Sequence, residues 1–253
     1  MWDPEQYLRF NEERSRAARD LCARVPLAAP ARILDAGCGP GNSTQVLRER
    51  WPAAGITGLD SSPEMIARAR STDPAVTWTV GELGTFQAEP FDLVFANAVI
   101  QWIPDHPRLL RSLLELVAPG GFLAVQVPCN PRSPFREAMA EAARGPRFQG
   151  LLEGAGAALT FHDARFYYEH LAPLTRTLDL WETTYCHVLP DHQGIIDWMA
   201  STGMRPYLER LNDPAEQDGF KAEVLKICQR TMPPCPDGRV LMPFQRLFFV
   251  GGR

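Results

Sequence analysis

Ile33-Leu-Asp-Ala-Gly-Cys-Gly-Pro-Gly41 joins a short apolar run to a glycine-rich turn, and nineteen positions after Gly41 a second apolar run ends in an acid, Asp60. Glycines let the backbone of a turn approach a ligand, and a carboxylate at the end of the next strand accepts hydrogen bonds from ribose hydroxyls. The dinucleotide fingerprint asks for a further glycine where this chain has Asn42. Pro40 also lacks the amide that a pyrophosphate would use. No Gly-Lys-Ser/Thr follows, which excludes a P-loop. The pattern points away from a dinucleotide and toward a nucleoside without phosphates.

Such a site needs strands and helices in a set order. The residues predict a helix over Pro4–Arg24, with Tyr7, Phe10, Ala17, Leu21 and Cys22 near one face. A strand over Arg32–Ala36 leads into the glycine turn, and Asn42 or Ser43 caps a helix running to Arg50. Strand Ile56–Leu59 follows, then a helix capped by Ser61 or Ser62 with Pro63 in its first turn. Strands Val76–Val80 and Phe91–Ala96, helix Pro107–Val117, a turn at Pro119-Gly-Gly121 and strand Phe122–Val127 complete the rhythm. Further on, the residues predict strands at 178–188 and 240–250 and helices at 191–202 and 214–231, with irregular helical pieces over 129–172. The alternation predicts an α/β fold, a doubly wound and mostly parallel seven-stranded sheet whose last two strands form an antiparallel edge. One domain, 1–253, is expected, with a helical cap at 1–30, a cofactor-binding core at 31–128, and helical lid insertions at 129–172 and 189–235 over the active site.

Composition removes several classes of function. With 26 Lys plus Arg against 30 Asp plus Glu, the net charge of −4 supplies no field for phosphate backbones or anionic lipid, so neither nucleic acid nor membrane is an expected partner. At 45% hydrophobic and 22% charged residues the chain reads as globular rather than disordered, coiled-coil or collagenous. The acidic start, Met1-Trp-Asp-Pro4, lacks the marks of a signal peptide, and the charge-free run Leu93–Pro104 is too short for a bilayer span. Six cysteines without a Cys-x-x-Cys pair predict reduced thiols in the cytoplasm. The five histidines lack zinc spacing, so no metal is expected, and a monomer is.

Asp35-Ala-Gly-Cys-Gly-Pro-Gly41 resembles the first motif of class I methyltransferases that use S-adenosyl-L-methionine and release S-adenosyl-L-homocysteine. That resemblance implies a Rossmann-like fold. It implies a cofactor held by Asp35, Gly37, Cys38, Gly39 and Asn42 at the turn and by Asp60 at the ribose. Ser61, Met65, Glu82 and Leu83 would flank the adenine, and Asn97, Ala98 and Trp102 the methionyl end. Trp102 would stand as an aromatic wall beside the sulfonium, whose charge a ring face attracts. Several blocks resemble the trans-aconitate methyltransferase family: Trp2-Asp-Pro-x-x-Tyr7, Glu13-Arg-Ser-Arg16, Gly58 to Pro63, Asn97 to Trp102, Ile195 to Trp198, Thr202-Gly-Met-Arg-Pro206 and Pro243 to Phe248. Glu141 to Gly156 matches least.

That family's acceptor is a small polycarboxylate, which needs cations, and arginine gives the bidentate grip that lysine lacks. Arg14, Arg205 and Arg246 are the candidates, beside Trp102. Arg16 has Glu12 at helical spacing and is equally a surface pair. Arg205 precedes a proline and is expected in an extended loop. Arg246 sits inside an apolar strand and requires an internal acid or a ligand. His162, Tyr168 and Tyr185 are candidate wall residues. A carboxylate is already deprotonated at neutral pH, so no catalytic acid or base is needed and the chain has only to position its substrates. Two other readings stay open: methylation of a malonyl thioester on a carrier protein docked through Arg132, Arg136, Arg144 and Arg147, and a non-catalytic cofactor-binding subunit.

Overall fold

The computed structural model describes residues 11–129, 133–200 and 202–253, with side chains in the first helix from Ser15 onward. Trp2, Tyr7, Phe10, Arg132 and the Arg14 side chain therefore lie outside the described residues. In chain order the elements are α1 (Asn11–Arg24), β1 (Arg32–Ala36), α2 (Asn42–Arg50), β2 (Gly55–Asp60), α3 (Pro63–Thr72), β3 (Thr77–Val80), β4 (Phe91–Asn97) and α4 (His106–Glu115). Then come β5 (Val117–Pro128), α5 (Pro134–Arg144), α6 (Ala164–Leu171), β6 (Thr177–Leu189), α7 (His192–Ala200), the single turn α8 (Arg205–Leu208), α9 (Pro214–Thr231) and β7 (Val240–Gly252).

Seven strands form one sheet in the order β3-β2-β1-β4-β5-β7-β6. β1 to β5 are parallel, and β7 runs antiparallel to β5, from Phe122 opposite Gly252 to Pro128 opposite Arg246. From β1 the chain winds outward through β2 and β3, then returns to place β4 on the other side of β1. That reversal opens a crevice at the carboxyl ends of β1 and β4, where sheets of this kind bind ligands. β1 and β4 are apolar and buried because helices cover both faces of a parallel sheet.

Local chemistry sets the helix starts. The Ser62 hydroxyl accepts from the Met65 amide at 3.2 Å, with Pro63 in the first turn of α3. Asp105 accepts from the Arg108 amide at the start of α4, whose Leu109, Leu110, Leu113 and Leu114 are all buried. α4 ends at Glu115, two residues short of expectation. β5 begins at Val117 and runs through the expected Pro119-Gly-Gly121 turn, with an irregular register opposite Phe91 to Leu93.

The described residues divide into two compact units. The first holds residues 12–129, 160–183 and 246–253; the second holds the described residues of 130–159 and 184–245. Helix α6, expected within an insertion, belongs to the first unit, because its fully buried Tyr167 stacks near Phe249 of β7 and bonds to α4. The second unit has its own core, in which Phe135, Met139, Trp198, Phe220 and Phe244 are buried and Arg230 of α9 pairs with Glu141 of α5 at 2.6 Å. Among the described residues no helix is long and apolar enough to cross a membrane.

Candidate active site

The glycine turn hangs on β2. Gly37 and Cys38 both donate their amides to the Leu59 carbonyl, at 2.7 and 3.0 Å. A Cβ on Gly37, at φ +72°, would fall 2.2 Å from the Val99 side chain, so only glycine passes there. At Gly39, φ +55°, an added Cβ would meet nothing within 4 Å, and the backbone faces open space. The Gly39 amide donates to one carboxylate oxygen of Asp60 and the Ser62 amide to the other, each at 2.9 Å. Asp60 is thus held at the tip of β2, with lone pairs left for hydroxyl donors.

Asp35 is wholly buried under the turn. One of its oxygens accepts from Ser43 at 2.8 Å and Thr44 at 2.6 Å, while the other is buried with no protein partner. Burial pushes its carboxyl up to about 6, the Thr44 and Ser43 bonds lower it, and the Asp60 charge raises it further. The expected cap of α2 at Asn42 or Ser43 is not formed. Gly41 is the cap residue, in the left-handed conformation, because Ser43 and Thr44 are committed to Asp35. The Asn42 side-chain amide nitrogen is buried without a partner among the described residues. Burial first, then the charges of Asp35 and Asp60, holds the Cys38 thiol far above its ordinary range and keeps it from acting as a nucleophile.

Beyond Asp60, Ser61 and Glu82 are exposed, Met65 is half-buried and Leu83 is buried. Trp78, which sequence reasoning missed, packs on the turn: its ring lies 3.1 Å from a Cβ built on Gly41 and 2.4 Å from one built on Gly58.

At the end of β4, Asn97 lies in register with Gln126 of β5. Ala98 adopts φ +56°, strained for a residue with a Cβ. Its amide donates to the Gln126 carbonyl at 2.9 Å, and its own carbonyl accepts from the Gln101 side chain at 2.7 Å. These bonds fold Ile100–Trp102 into a tight 3₁₀ turn rather than the expected loop, leaving Trp102 41% exposed. Arg246, only 8% exposed, directs its guanidinium to the Gln126 side-chain oxygen at 3.5 Å. The Asn97 and Gln101 side-chain oxygens and the Gln126 side-chain nitrogen are buried with no partner among the described residues. Sequence reasoning missed Gln126, although it is the lone polar side chain in the run Phe122–Pro128.

The remaining expected residues have the following surroundings. Arg205 is not in an extended loop; it opens the helical turn α8, where Met204 and Tyr207 bury themselves on either side, and it pairs with Glu209 at 2.5 Å. His162 stacks on Phe166 at 3.6 Å, Tyr168 is exposed and Tyr185 is buried. Of the arginines considered for docking an acidic carrier, Arg136 is desolvated enough that burial pushes its guanidinium down to about 10. Arg147 lies over the Phe148 ring and against Gly219.

The open space at Gly39, the unpartnered oxygens of Asp35 and Asn97 and the fixed Asp60 fit a nucleoside whose other end carries amine and carboxylate groups. Residues 10–179 match a family model described as a methyltransferase domain. In fold the chain is similar to the YcgJ protein of Bacillus subtilis, with TM-score 0.64 and 13% identity over 94% of this chain and 98% of that one. It is also similar to Haemonchus contortus phosphoethanolamine N-methyltransferase 2, solved with S-adenosylhomocysteine, with TM-score 0.57 and 15% identity over 95% of this chain and 52% of that one. In sequence it is 48% identical to the trans-aconitate 2-methyltransferase of Azoarcus sp. strain BH72, over 100% of this chain and 99% of that protein. The same enzyme of Methylobacterium nodulans is 47% identical over 100% of this chain and 98% of that protein. The chain belongs to the trans-aconitate 2-methyltransferase family of S-adenosylmethionine-dependent methyltransferases.

Proposed function

We propose that this chain methylates a carboxylate of trans-aconitate, or of a closely related small polycarboxylate, to give the monomethyl ester. The observation that carries the reading is the near-half identity, over the whole chain, to trans-aconitate 2-methyltransferases, together with the buried guanidinium of Arg246 directed at Gln126, which itself lies in register with Asn97. The planar guanidinium gives a carboxylate the bidentate grip that lysine lacks.

S-adenosylmethionine supplies an electrophilic methyl group on a sulfonium. Asp60 would receive the ribose hydroxyls, and the glycine turn would back the methionyl portion. Asp35 and Asn97 offer acceptors to the ammonium, directly or through water. Trp102, 41% exposed on the turn after β4, would offer its ring to the sulfonium. Bound there, the cofactor would supply its methyl group to the acceptor carboxylate oxygen, the carbon–sulfur bonding pair leaving with sulfur. No proton moves. Positioning and exclusion of water are the protein's contributions.

The test is incubation with methyl-labelled donor and a panel of di- and tricarboxylates, with the ester identified by mass spectrometry. Label in an ester of trans-aconitate or a near analogue is expected. Label transferred only to a nitrogen or phenol acceptor, or to none, overturns the reading.

A further inference from the structure

Gln126 lies in the middle of a polar cluster inside the first unit. It is fully buried, on β5, directly opposite Asn97 of β4. Its side-chain oxygen accepts from Arg246 at 3.5 Å, and its side-chain nitrogen has no partner among the described residues. The orientation of this amide follows from chemistry. A guanidinium carries only donors, so the amide oxygen must face Arg246 and the NH₂ must face away. The unmatched nitrogen thus results from how Arg246 is placed, and reversing the amide would only turn donors toward donors. Buried donors of this kind are matched in folded proteins by protein, water or ligand.

Two neighbours narrow the choice of partner. On β7 the residue opposite Gln126 is Phe248, whose ring stacks on Trp181 at 4.9 Å and 7°, so that side offers no acceptor from Phe248. On the other side stands Asn97, about one strand spacing, ~4.8 Å, away. A carboxylate offers lone pairs on two oxygens, one able to accept from the Gln126 NH₂ and the other from a guanidinium such as Arg246, whose several donors serve more than one partner. Held there, it lies one strand from the residue placed beside the methionyl end of the cofactor.

We propose that Gln126 and Arg246 form a carboxylate-binding pair that holds a carboxyl group of the acceptor other than the one methylated. The pair selects acceptors carrying at least two carboxylates. This rests on the polycarboxylate reading of the site and names the residues that carry its selectivity.

The test is calorimetric binding of trans-aconitate to enzyme saturated with S-adenosylhomocysteine. Gln126→Met, similar in volume but without donors, is expected to weaken trans-aconitate about 10- to 100-fold, as for loss of a hydrogen bond to a charged group. Gln126→Glu places a second anion against Arg246 and is expected to abolish measurable binding. In both variants S-adenosylhomocysteine affinity stays within about twofold, which certifies the neighbouring β4 end. Normal trans-aconitate binding by Gln126→Met overturns the pair. Should both variants lose the cofactor product as well, wild-type enzyme decides: one monoamide of trans-aconitate binding at least about tenfold more weakly supports the pair, and all monoamides binding as the parent acid overturn it. Binding without turnover in the wild type sinks the methylation reading and leaves the pair. Turnover with unaffected Gln126 variants sinks the pair and leaves the reading. A wild-type protein that binds no polycarboxylate sinks both.

Discussion

The Tyr167 hydroxyl lies 2.9 Å from Nδ1 of His106, and Nε2 of the same ring lies 2.9 Å from the Ile100 carbonyl. A carbonyl only accepts, so the ring proton belongs on Nε2 and Nδ1 accepts from Tyr167. Both side chains are fully buried. The chain of bonds ties α6 and α4 to the turn that carries Gln101 and Trp102.

Tyr167→Phe removes the donor and leaves a buried ring nitrogen unmatched. The expected loss is about 1–3 kcal/mol of stability, read as a lower urea midpoint with an unchanged slope. The acceptor KM should rise as the Ile100–Trp102 turn loosens, with cofactor affinity intact. Equal midpoints for the two proteins would show that the bond is not formed in solution.

His106 also sets a pH dependence. Burial, the largest cause, lowers its pKa below the ordinary 6.5, although the bond to Ile100 opposes the shift. Below 6.5 the unfolded chain binds a proton that the native protein refuses, so this group's contribution is full above 6.5 and is lost as pH falls. His106→Asn, which does not titrate, should flatten the decline in stability as pH falls below 6.5. An identical slope in the variant would assign the decline to other groups.

Asp35 acts in the opposite sense. Its carboxyl, raised from 3.8 to about 6, is protonated more readily in the native state, so its contribution is present below 3.8 and is lost as pH rises through about 6. Asp35→Asn removes the buried charge and should stabilise the ligand-free protein at pH 7.5 by up to about 3 kcal/mol while weakening S-adenosylmethionine binding. A variant that melts lower than wild type at pH 7.5 would show that the Ser43 and Thr44 bonds outweigh burial.

Asp60→Ala should weaken S-adenosylmethionine by about 1.5–3 kcal/mol, the range for hydrogen bonds to a charged group. The thermal midpoint should fall too, because the Gly39 and Ser62 amides lose their acceptor. Asp60→Asn keeps one acceptor and should fall between. Calorimetry with unchanged affinity in folded Asp60→Ala would remove this residue from the ribose.

For a carboxylate nucleophile kcat should be nearly flat from about pH 7 to pH 8.5, above the Asp35 transition, since no essential base titrates there. The measurement is kcat at saturating donor and acceptor, with single-turnover rates confirming that chemistry limits. A tenfold rise per pH unit across that window would mean that a proton must leave the acceptor, and the carboxyl reading would fall.

The sheet was legible in the sequence because buried parallel strands are short apolar runs closed by turn residues, as in Ile33–Ala36 and Phe91–Ala96. The glycine turn and Asp60 were legible for the same reason: their spacing is set by one strand, one helix and a second strand. Arg205 was misplaced because the residue before a proline avoids helical backbone in general, whereas burial of Met204 and Tyr207 pins this one into a turn. The α2 cap was misread since Asp35, seven residues before Asn42, competes for the hydroxyls next to it. Gln126, His106 and Tyr167 carry no local signature at all. Their roles come from contacts 61 and 120 residues apart in sequence, which no window along the chain displays.

The Leu59 carbonyl, which takes the amides of both Gly37 and Cys38, makes the cofactor turn part of the β1–β2 pairing rather than an appendage to it. Swinging the turn away would break two bonds at once in a buried crevice, so motion there is coupled to opening of the sheet. The cleft is thus preassembled: the entropy of ordering it is spent during folding, and the arriving nucleoside does not pay it again. Selection acting on cofactor affinity and selection acting on sheet stability therefore bear on the same few atoms, and neither property can drift far without the other.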